Sequence, residues 1–448
     1  MSLNISENRT KNYIKQLKGS LIFKLLAVAS SFLIIPIMIK YLGIEQYGIW
    51  STLLSIVSWI VLFDIGIGNG LRNKISESLA KDDKEEAQNY ISTAYVMIGF
   101  ISVLLLLAFL AASNFIAWQT VFNTVVLSNQ ELRDIVNVTA SFLFINFWLS
   151  LINQVFNGLQ KTAIVVFNQF LSNAFALLSV FILYNYFESS LFKLAFVYGL
   201  SLLMASALLS IWFYTNNSEF IPKIQNYSKK YVKSITSLGF QFFVIQIAVV
   251  VIFTTDKILI TQLFGPEYVA SYDIVFKLFS IITIAHSLLM APLWSAYSDA
   301  YHRNDMKWIK NTIKNQLKIY VLFIVATIAL VFFAKPIIGL WIGKEVVIDN
   351  MLIIAMCGFI LISTWNNITG YLLGGLGYVR LGAYYTVFTA IVNLPISYFY
   401  AVILNLGVSG IVFGTITSIA ISAIVSPIQV YYLIFKKNTN EFYTRILR

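Results

Sequence analysis

Charge is what this sequence has least of. Asp, Glu, Lys and Arg make up 11% of its 448 residues, where a soluble domain carries about 25%. So few charges cannot cover a water-facing surface, which excludes a soluble globular protein. Hydrophobic residues at 58% and a mean hydropathy of +0.78 exclude a disordered chain as well. A single cysteine, Cys357, rules out an internal disulfide and leaves no thiolate cluster for a metal. Two histidines, His286 and His302, are too few for a histidine-built metal site. No GxxxxGK[ST] stretch occurs, so there is no phosphate loop for ATP hydrolysis. The glycine-dense stretch LFDIGIGNGLRNK, residues 62–74, has Leu71 where a GxGxxG motif needs its last glycine.

Long apolar runs are what the sequence has instead. A bilayer is crossed by about 20 apolar helical residues. Twelve such runs fall at 20–40, 47–67, 90–112, 137–158, 163–185, 191–213, 237–262, 269–294, 316–338, 350–371, 381–404 and 409–434. Ala27-Val28-Ala29 resembles a cleavage site, but the run continues through Ile39, so it belongs to a first span. With the N-terminus inside, 23 of the 31 Lys and Arg lie on inner segments and 5 on outer ones. This bias predicts both ends in the cytoplasm and accounts for the net charge of +11 without a nucleic acid partner.

The chain also echoes itself at a spacing of 222 residues. Gly43, Glu45, Ser58, Ser76 and Asp83 fall on Gly265, Glu267, Ser280, Ser298 and Asp305, and Lys81 on Arg303. Asn157-Gly158-Leu159 and Gly374-Gly375-Leu376 follow the fourth span of each half. Six spans per half make the repeats parallel. The predicted fold is an all-α polytopic membrane protein, with twelve transmembrane helices in two pseudo-symmetric six-helix lobes around a central cleft. The expected divisions are a cytoplasmic N-terminus 1–19, an N-lobe 20–213, a basic cytoplasmic linker 214–236, a C-lobe 237–434 and a cytoplasmic C-terminus 435–448.

A charge at the centre of a spanning helix costs on the order of 2.5–3.5 kcal/mol and so faces a cavity or a partner. Such groups here are Lys24, Asp64, Asp256, Lys257, Asp273, Lys277 and the titratable His286. Asp273 and Lys277 share a helix face, which allows an internal ion pair. With Ser280 they map onto Ser51, Ser55 and Ser58, and a polar stripe kept in both halves points to a water-filled cleft. Lys277 is thus the leading candidate for an anion-binding cation, with Lys257, Lys24 and Arg72 nominated by position. Lys257 has a second reading, snorkelling to the outer interface. Lys24 and Asp64 lie at similar depth, which allows a pair between the first two spans. Asp64, Asp256, Asp273 and His286 are candidates for ion coupling, and His286 is equally readable as a packed histidine. Asn146, Ser150, Asn153 and Asn157 lie on one face of the fourth span. They read either as interhelical glue or, with Ser51, Ser55 and Trp365, as a polar and aromatic surface for a sugar. The glycines at 66–70 read as the end of the second span, and HSLLMAPLWSA as a related corner in the second half.

These stretches resemble a known family. YLGIEQYGIW after the first span, LFDIGIGNGLRNKISESLAKDDKEEAQNYIS after the second and PLWSAYSDAYHRND at 292–305 are similar to polysaccharide flippases of the Wzx type. That family sits in the large superfamily of multidrug, oligosaccharidyl-lipid and polysaccharide exporters. The resemblance covers the whole chain. It implies a transporter, not an enzyme, that moves undecaprenyl-pyrophosphate-linked oligosaccharide across the bacterial inner (cytoplasmic) membrane by alternating access, for O-antigen or capsule synthesis. It implies membrane lipids as surroundings, no cofactor, protons or sodium as candidate coupling ions, and polymerase or assembly proteins as candidate partners. The alternatives are an ion-coupled multidrug exporter of the same superfamily and a membrane polysaccharide polymerase.

Overall fold

A backbone inside hydrocarbon must satisfy its own N–H and C=O groups, which leaves helices or closed barrels. The computed structural model describes residues 2–435 apart from Ile65, Lys344, Glu345 and Val379. It leaves undescribed the side chains of 2–15, 61, 63, 237–246, 248, 249, 253, 291, 295 and 302. The expected C-terminal segment lies, from 436 on, outside the described residues. Every regular element among the described residues is helical.

The order is α1 (Ser2–Leu42), α2 (Ile44–Ser58), a 3₁₀ stretch (Trp59–Asp64), α3 (Ile67–Ala80), α4 (Lys84–Ser113), α5 (Trp118–Phe122), α6 (Asn129–Leu149), α7 (Leu151–Gly158), α8 (Thr162–Tyr186) and α9 (Leu191–Asn216). It continues with α10 (Lys229–Phe264), α11 (Glu267–His302), α12 (Met306–Trp341), α13 (Asn350–Gly375), α14 (Arg380–Tyr398) and α15 (Gly407–Val430). Among the described residues ten helices are long and apolar enough to cross a membrane. The remaining two of the twelve spans are α2 with its 3₁₀ extension, which is short, and α10. The chain divides into two compact units, Met1–Phe243 and Val244–Arg448.

The two units are built on the same plan, and the 222-residue echo marks the points where geometry demands it. Gly43 and its counterpart Gly265 both have positive φ, 80° and 115°, between the first and second helices of each half. A side chain at either position would strain the backbone. Asp82 and Asn304 occupy the left-handed region at φ 57° and 59°. The next residues, Asp83 and Asp305, both cap a helix: their carboxylates accept the N–H of Glu86 at 2.8 Å and of Trp308 at 3.0 Å. A Cβ on Gly158 would lie 2.7 Å from Ile75 Cβ and 3.1 Å from the Arg72 carbonyl. A Cβ on Gly375 would lie 3.0 Å from Tyr297 Cβ and 2.5 Å from the Trp294 carbonyl. Ile75 and Arg72 shifted by 222 are Tyr297 and Trp294, so the same two helices touch at the same point in each half. The cores follow: Ala87, Ile91, Val155 and Phe156 in the first unit correspond to Ile309, Ile313, Leu372 and Leu373 in the second.

The halves differ at one corner. The glycines at 66–70 do not end a helix, as expected above; they begin one. The second span stops at Asp64, Gly66 takes the left-handed conformation (φ 77°), and α3 starts at Ile67. The corresponding stretch of the second half has no break: α11 runs from Glu267 through His286 and Pro292 to His302. Proline inside a helix removes one hydrogen bond and bends it without ending it. The related corner expected in the second half is therefore a stretch of continuous helix with Pro292 inside it.

The basic linker is not a free tether. Its two short 3₁₀ turns, Ser218–Phe220 and Ile224–Asn226, lie against α4. Gln88 Nε2 donates to the Ile221 carbonyl at 2.9 Å, the Lys223 N–H to Ser92 Oγ at 3.0 Å, and Asn226 Nδ2 to Gln88 Oε1 at 3.3 Å. Lys84 and Glu219 add an ion pair at 3.2 Å.

Candidate functional site

In the second unit the candidate charges sit where α10 and α11 face each other. Asp256 is 4% exposed. A buried carboxylate requires hydrogen-bond donors. Here Tyr272 Oη donates at 3.0 Å, and Thr415 Oγ1 lies 3.1 and 3.3 Å from the two carboxylate oxygens. Asn393 Nδ2 from α14 donates to Thr415 Oγ1 at 3.1 Å. Asn393 is fully buried, and its Oδ1 has no hydrogen-bond partner among the described residues. Four helices thus converge on one acid and a cluster of neutral oxygens.

The neighbouring Lys257 turns to a different partner, as adjacent helical positions must. Its Nζ donates to Asp273 Oδ1 at 2.6 Å, with both side chains about one-fifth exposed or less. This ammonium is held across the helix pair. Asp273, four residues before Lys277, therefore shares its charge with Lys257 on the opposite helix. Lys277 is half-buried one turn further along α11, and its carbonyl accepts from Ser280 Oγ at 2.6 Å. His286 is 1% exposed, its ring edge-on to that of Phe323 with centroids 5.1 Å apart, and its Nδ1 has no hydrogen-bond partner among the described residues. Trp365 donates its indole N–H to the Ala423 carbonyl at 2.9 Å, and Asn366 Nδ2 to the Ile419 carbonyl at 3.1 Å. Both tie α13 to α15.

In the first unit the polar face of the fourth span lies at the junction of α6 and α7. Asn146 Oδ1 accepts from Ser206 Oγ of α9 at 3.1 Å, and Asn153 Oδ1 from Asn168 Nδ2 of α8 at 3.0 Å. Asn157 Nδ2 donates to Gln154 within α7 at 3.3 Å. Asn173 Nδ2 donates to the Ala27 carbonyl of α1 at 2.9 Å. Amide and hydroxyl partners across helices are how spanning helices lock together, and this network joins α6, α7, α8 and α9. Ser51 and Ser55 are buried, and Ser55 Oγ donates to the Ser51 carbonyl at 3.2 Å. Ser58 Oγ donates to the Ser55 carbonyl at 2.6 Å.

Lys24 and Asp64 do not pair. Lys24 Nζ donates to Gln169 Oε1 of α8 at 3.1 Å. Asp64 Oδ1 accepts the Gly68 N–H at 2.9 Å. The first N–H groups of a helix lack partners, and a carboxylate there also meets the positive end of the helix dipole. Asp64 thus starts α3. Arg72 is exposed on that helix, at the point where its carbonyl meets Gly158. Among the described residues no three His, Cys, Asp or Glu side chains come together as metal ligands.

Sequence reading found the charges but missed Tyr272, Thr415, Asn393 and Gln169. Tyrosine and threonine in an apolar run carry no signal of their own. Thr415 lies 159 residues from the acid it touches, and no helical periodicity encodes that contact.

Three kinds of similarity bear on this arrangement. The family model described as polysaccharide biosynthesis protein matches residues 17–297, and the MatE model matches 242–399. The chain is 23% identical over 417 residues to a putative O-antigen export protein of Yersinia pseudotuberculosis, covering 89% of this chain and 91% of that one. It is 24% identical over 412 residues to a putative O-antigen transporter of Salmonella typhimurium, covering 87% and 89%. Among solved structures, a multidrug resistance MATE family transporter of the MOP superfamily, in an inward-facing conformation, superposes with a TM-score of 0.79. It covers 94% of this chain and 100% of that one at 15% identity; at that identity the likeness concerns the fold.

Proposed function

Because the chain belongs to the polysaccharide biosynthesis protein family, we propose that it is a flippase for undecaprenyl-pyrophosphate-linked oligosaccharide repeat units. It is a multi-pass membrane transporter rather than an enzyme. In this reading it works in the bacterial inner membrane with both termini in the cytoplasm, and serves O-antigen or capsular polysaccharide synthesis by alternating access. The observation that carries the reading is the family match over 17–297, supported by full-length likeness to O-antigen export proteins.

The chemistry of the interior is compatible. A pyrophosphate needs cations before it can leave water. Lys277 is the proposed contact, with Lys257, Lys24 and Arg72 as further cations. Lys257 reaches an anion only by exchanging it for Asp273, so it acts as a switchable cation. The amides of the first unit are largely engaged with one another. Asn146 and Asn153, and Trp365 in the second unit, are bonded across helices and would meet a sugar only when those helices shift, while Asn157, Ser51 and Ser55, which hydrogen-bond within their own helices, are the further proposed contacts. Asp256, ringed by Tyr272, Thr415 and Asn393, is the proposed ion-coupling group in the second half.

The test is removal of the protein from its host. Lipid-linked oligosaccharide should accumulate on the cytoplasmic leaflet, and plasmid-borne wild type should clear it. Undiminished export in the null strain would overturn the proposal. The MatE match over 242–399 favours a second reading, an ion-coupled multidrug exporter. In that case the null strain would export polysaccharide normally and become sensitive to cationic drugs.

A further inference from the structure

A groove of about 770 Å³ runs along the first unit between α4, α6 and the pinned linker. Sites of about 300–1,000 Å³ are the size that takes small ligands. Its walls are apolar and aromatic: Val96, Phe100 and Val103 of α4, Ile145 and Trp148 of α6, and Ile224 of the linker. Phe100, Val103 and Ile224 are 69%, 59% and 82% exposed. The long walls belong to helices apolar enough to cross a membrane, so the groove opens toward lipid. From Ser92 to Leu106 it follows α4 for about 21 Å at 1.5 Å per residue. That is about one leaflet of a bilayer, which is about 40–45 Å thick with its headgroups.

The end beside Ser92 is the charged one. The linker is bonded there by the Lys223 N–H to Ser92 Oγ, which fixes Lys223 at the mouth of the groove. Lys223 is exposed and makes no ion pair among the described residues, while the nearby acid Glu219 is already paired with Lys84. A leaflet-length apolar slot ending at an unmatched cation is complementary to one molecule of amphipathic anion. We propose that this groove binds an anionic glycerophospholipid of the surrounding membrane, with one acyl chain against Trp148, Phe100 and Val103 and the headgroup phosphate against Lys223. The bound lipid fastens the linker to α4, so the membrane's acidic lipid content sets how firmly the segment leading into α10 is held. The slot is about one acyl chain long, which favours a phospholipid over a much longer polyisoprenoid tail.

Native mass spectrometry of the full chain in detergent, titrated with phosphatidylglycerol and with phosphatidylcholine of the same acyl composition, reads the site. A lysine near an anionic lipid surface is worth about one kcal/mol, or about fivefold in affinity. Wild type should favour phosphatidylglycerol by about that factor. Lys223→Ala should abolish the preference and Lys223→Glu reverse it, while Lys230→Ala, away from the groove, keeps it. Val103→Trp, on the exposed rim, should weaken both lipids severalfold. Equal binding of the two lipids by wild type, or an unchanged preference in Lys223→Ala, overturns the proposal. So does undecaprenyl phosphate displacing phosphatidylglycerol from wild type in preference to other lipids, which would make the groove a tail site for the transported lipid. A second copy of the chain filling the groove, seen as a dimer that excludes added lipid, overturns it too.

Discussion

Asp64 separates two roles that a half-buried acid can play, and two substitutions tell them apart. Its carboxylate accepts the Gly68 N–H at 2.9 Å, at the start of a helix whose cap residue, Gly66, has no side chain to do so. Alanine at this position removes the acceptor, a loss of about 0.5–2 kcal/mol for a capping group. It also removes a negative charge at the positive end of α3, about 0.3–1 kcal/mol. Asparagine keeps an acceptor oxygen and loses only the charge. Asp64→Ala should therefore destabilise the protein by about 1–3 kcal/mol and Asp64→Asn by about 0.3–1 kcal/mol. Thermal unfolding of the purified protein in detergent gives the order. Polysaccharide export in a strain that lacks its own copy gives the function. A capping role requires Asp64→Asn to export at near wild-type level, with Asp64→Ala reduced in proportion to the protein remaining. Lost export in Asp64→Asn at unchanged thermal stability would refute the capping account and return Asp64 to ion coupling.

Lys257→Ala or Asp273→Ala should each destabilise at the low end of the about 3–5 kcal/mol for breaking a buried pair. A Lys257→Met/Asp273→Asn double variant should lose less than either, and neutral single variants in thermal unfolding would contradict the 2.6 Å contact. Gly158→Ala and Gly375→Ala should both destabilise by about 1–3 kcal/mol through overpacking, because each Cβ meets the neighbouring helix within 3 Å; a loss in one half alone would break the equivalence of the repeats. Lys277→Ala should abolish export while leaving the protein in the membrane at normal amount, and normal export by a well-expressed variant defeats that assignment. On the loop side of α3, Lys74 and Lys81 hold the exposed Glu77 carboxyl down from 4.5 to about 2. A depressed acid stabilises the folded state above pH 4.5, and that contribution falls away as pH drops from 4.5 toward 2. Glu77→Gln should lack this part of the acid dependence in unfolding scans, and an unaltered profile would count against the Lys74–Glu77–Lys81 cluster.

Much of the fold was legible because hydrocarbon imposes simple rules. Apolar runs marked the spans, and the backbone-critical turns at Gly43 and Gly265 marked the repeat. The break after Asp64 was not legible. A left-handed Gly66 that starts a helix and a glycine that ends one leave the same letters in a sequence, and context in three dimensions decides between them. The charges of the candidate site were legible one by one, because each is expensive in a membrane. Their partners were not. Asp256 could not be joined to Thr415, nor Lys24 to Gln169, since such contacts cross between helices and depend on rotation about each helix axis. The polar face of Asn146, Asn153 and Asn157 was readable as a face. Its partners Ser206 and Asn168 became clear only once α8 and α9 were in place.

The matched turns also show where a repeated plan constrains its sequence. Where the backbone admits one solution, as at Gly43 and Gly265, Asp83 and Asp305, or Gly158 and Gly375, the two copies still agree. Where lipid accepts any apolar side chain, their letters differ. The likeness of the halves is therefore written in joints and contact points, and a comparison weighted toward those positions finds it where overall identity is low.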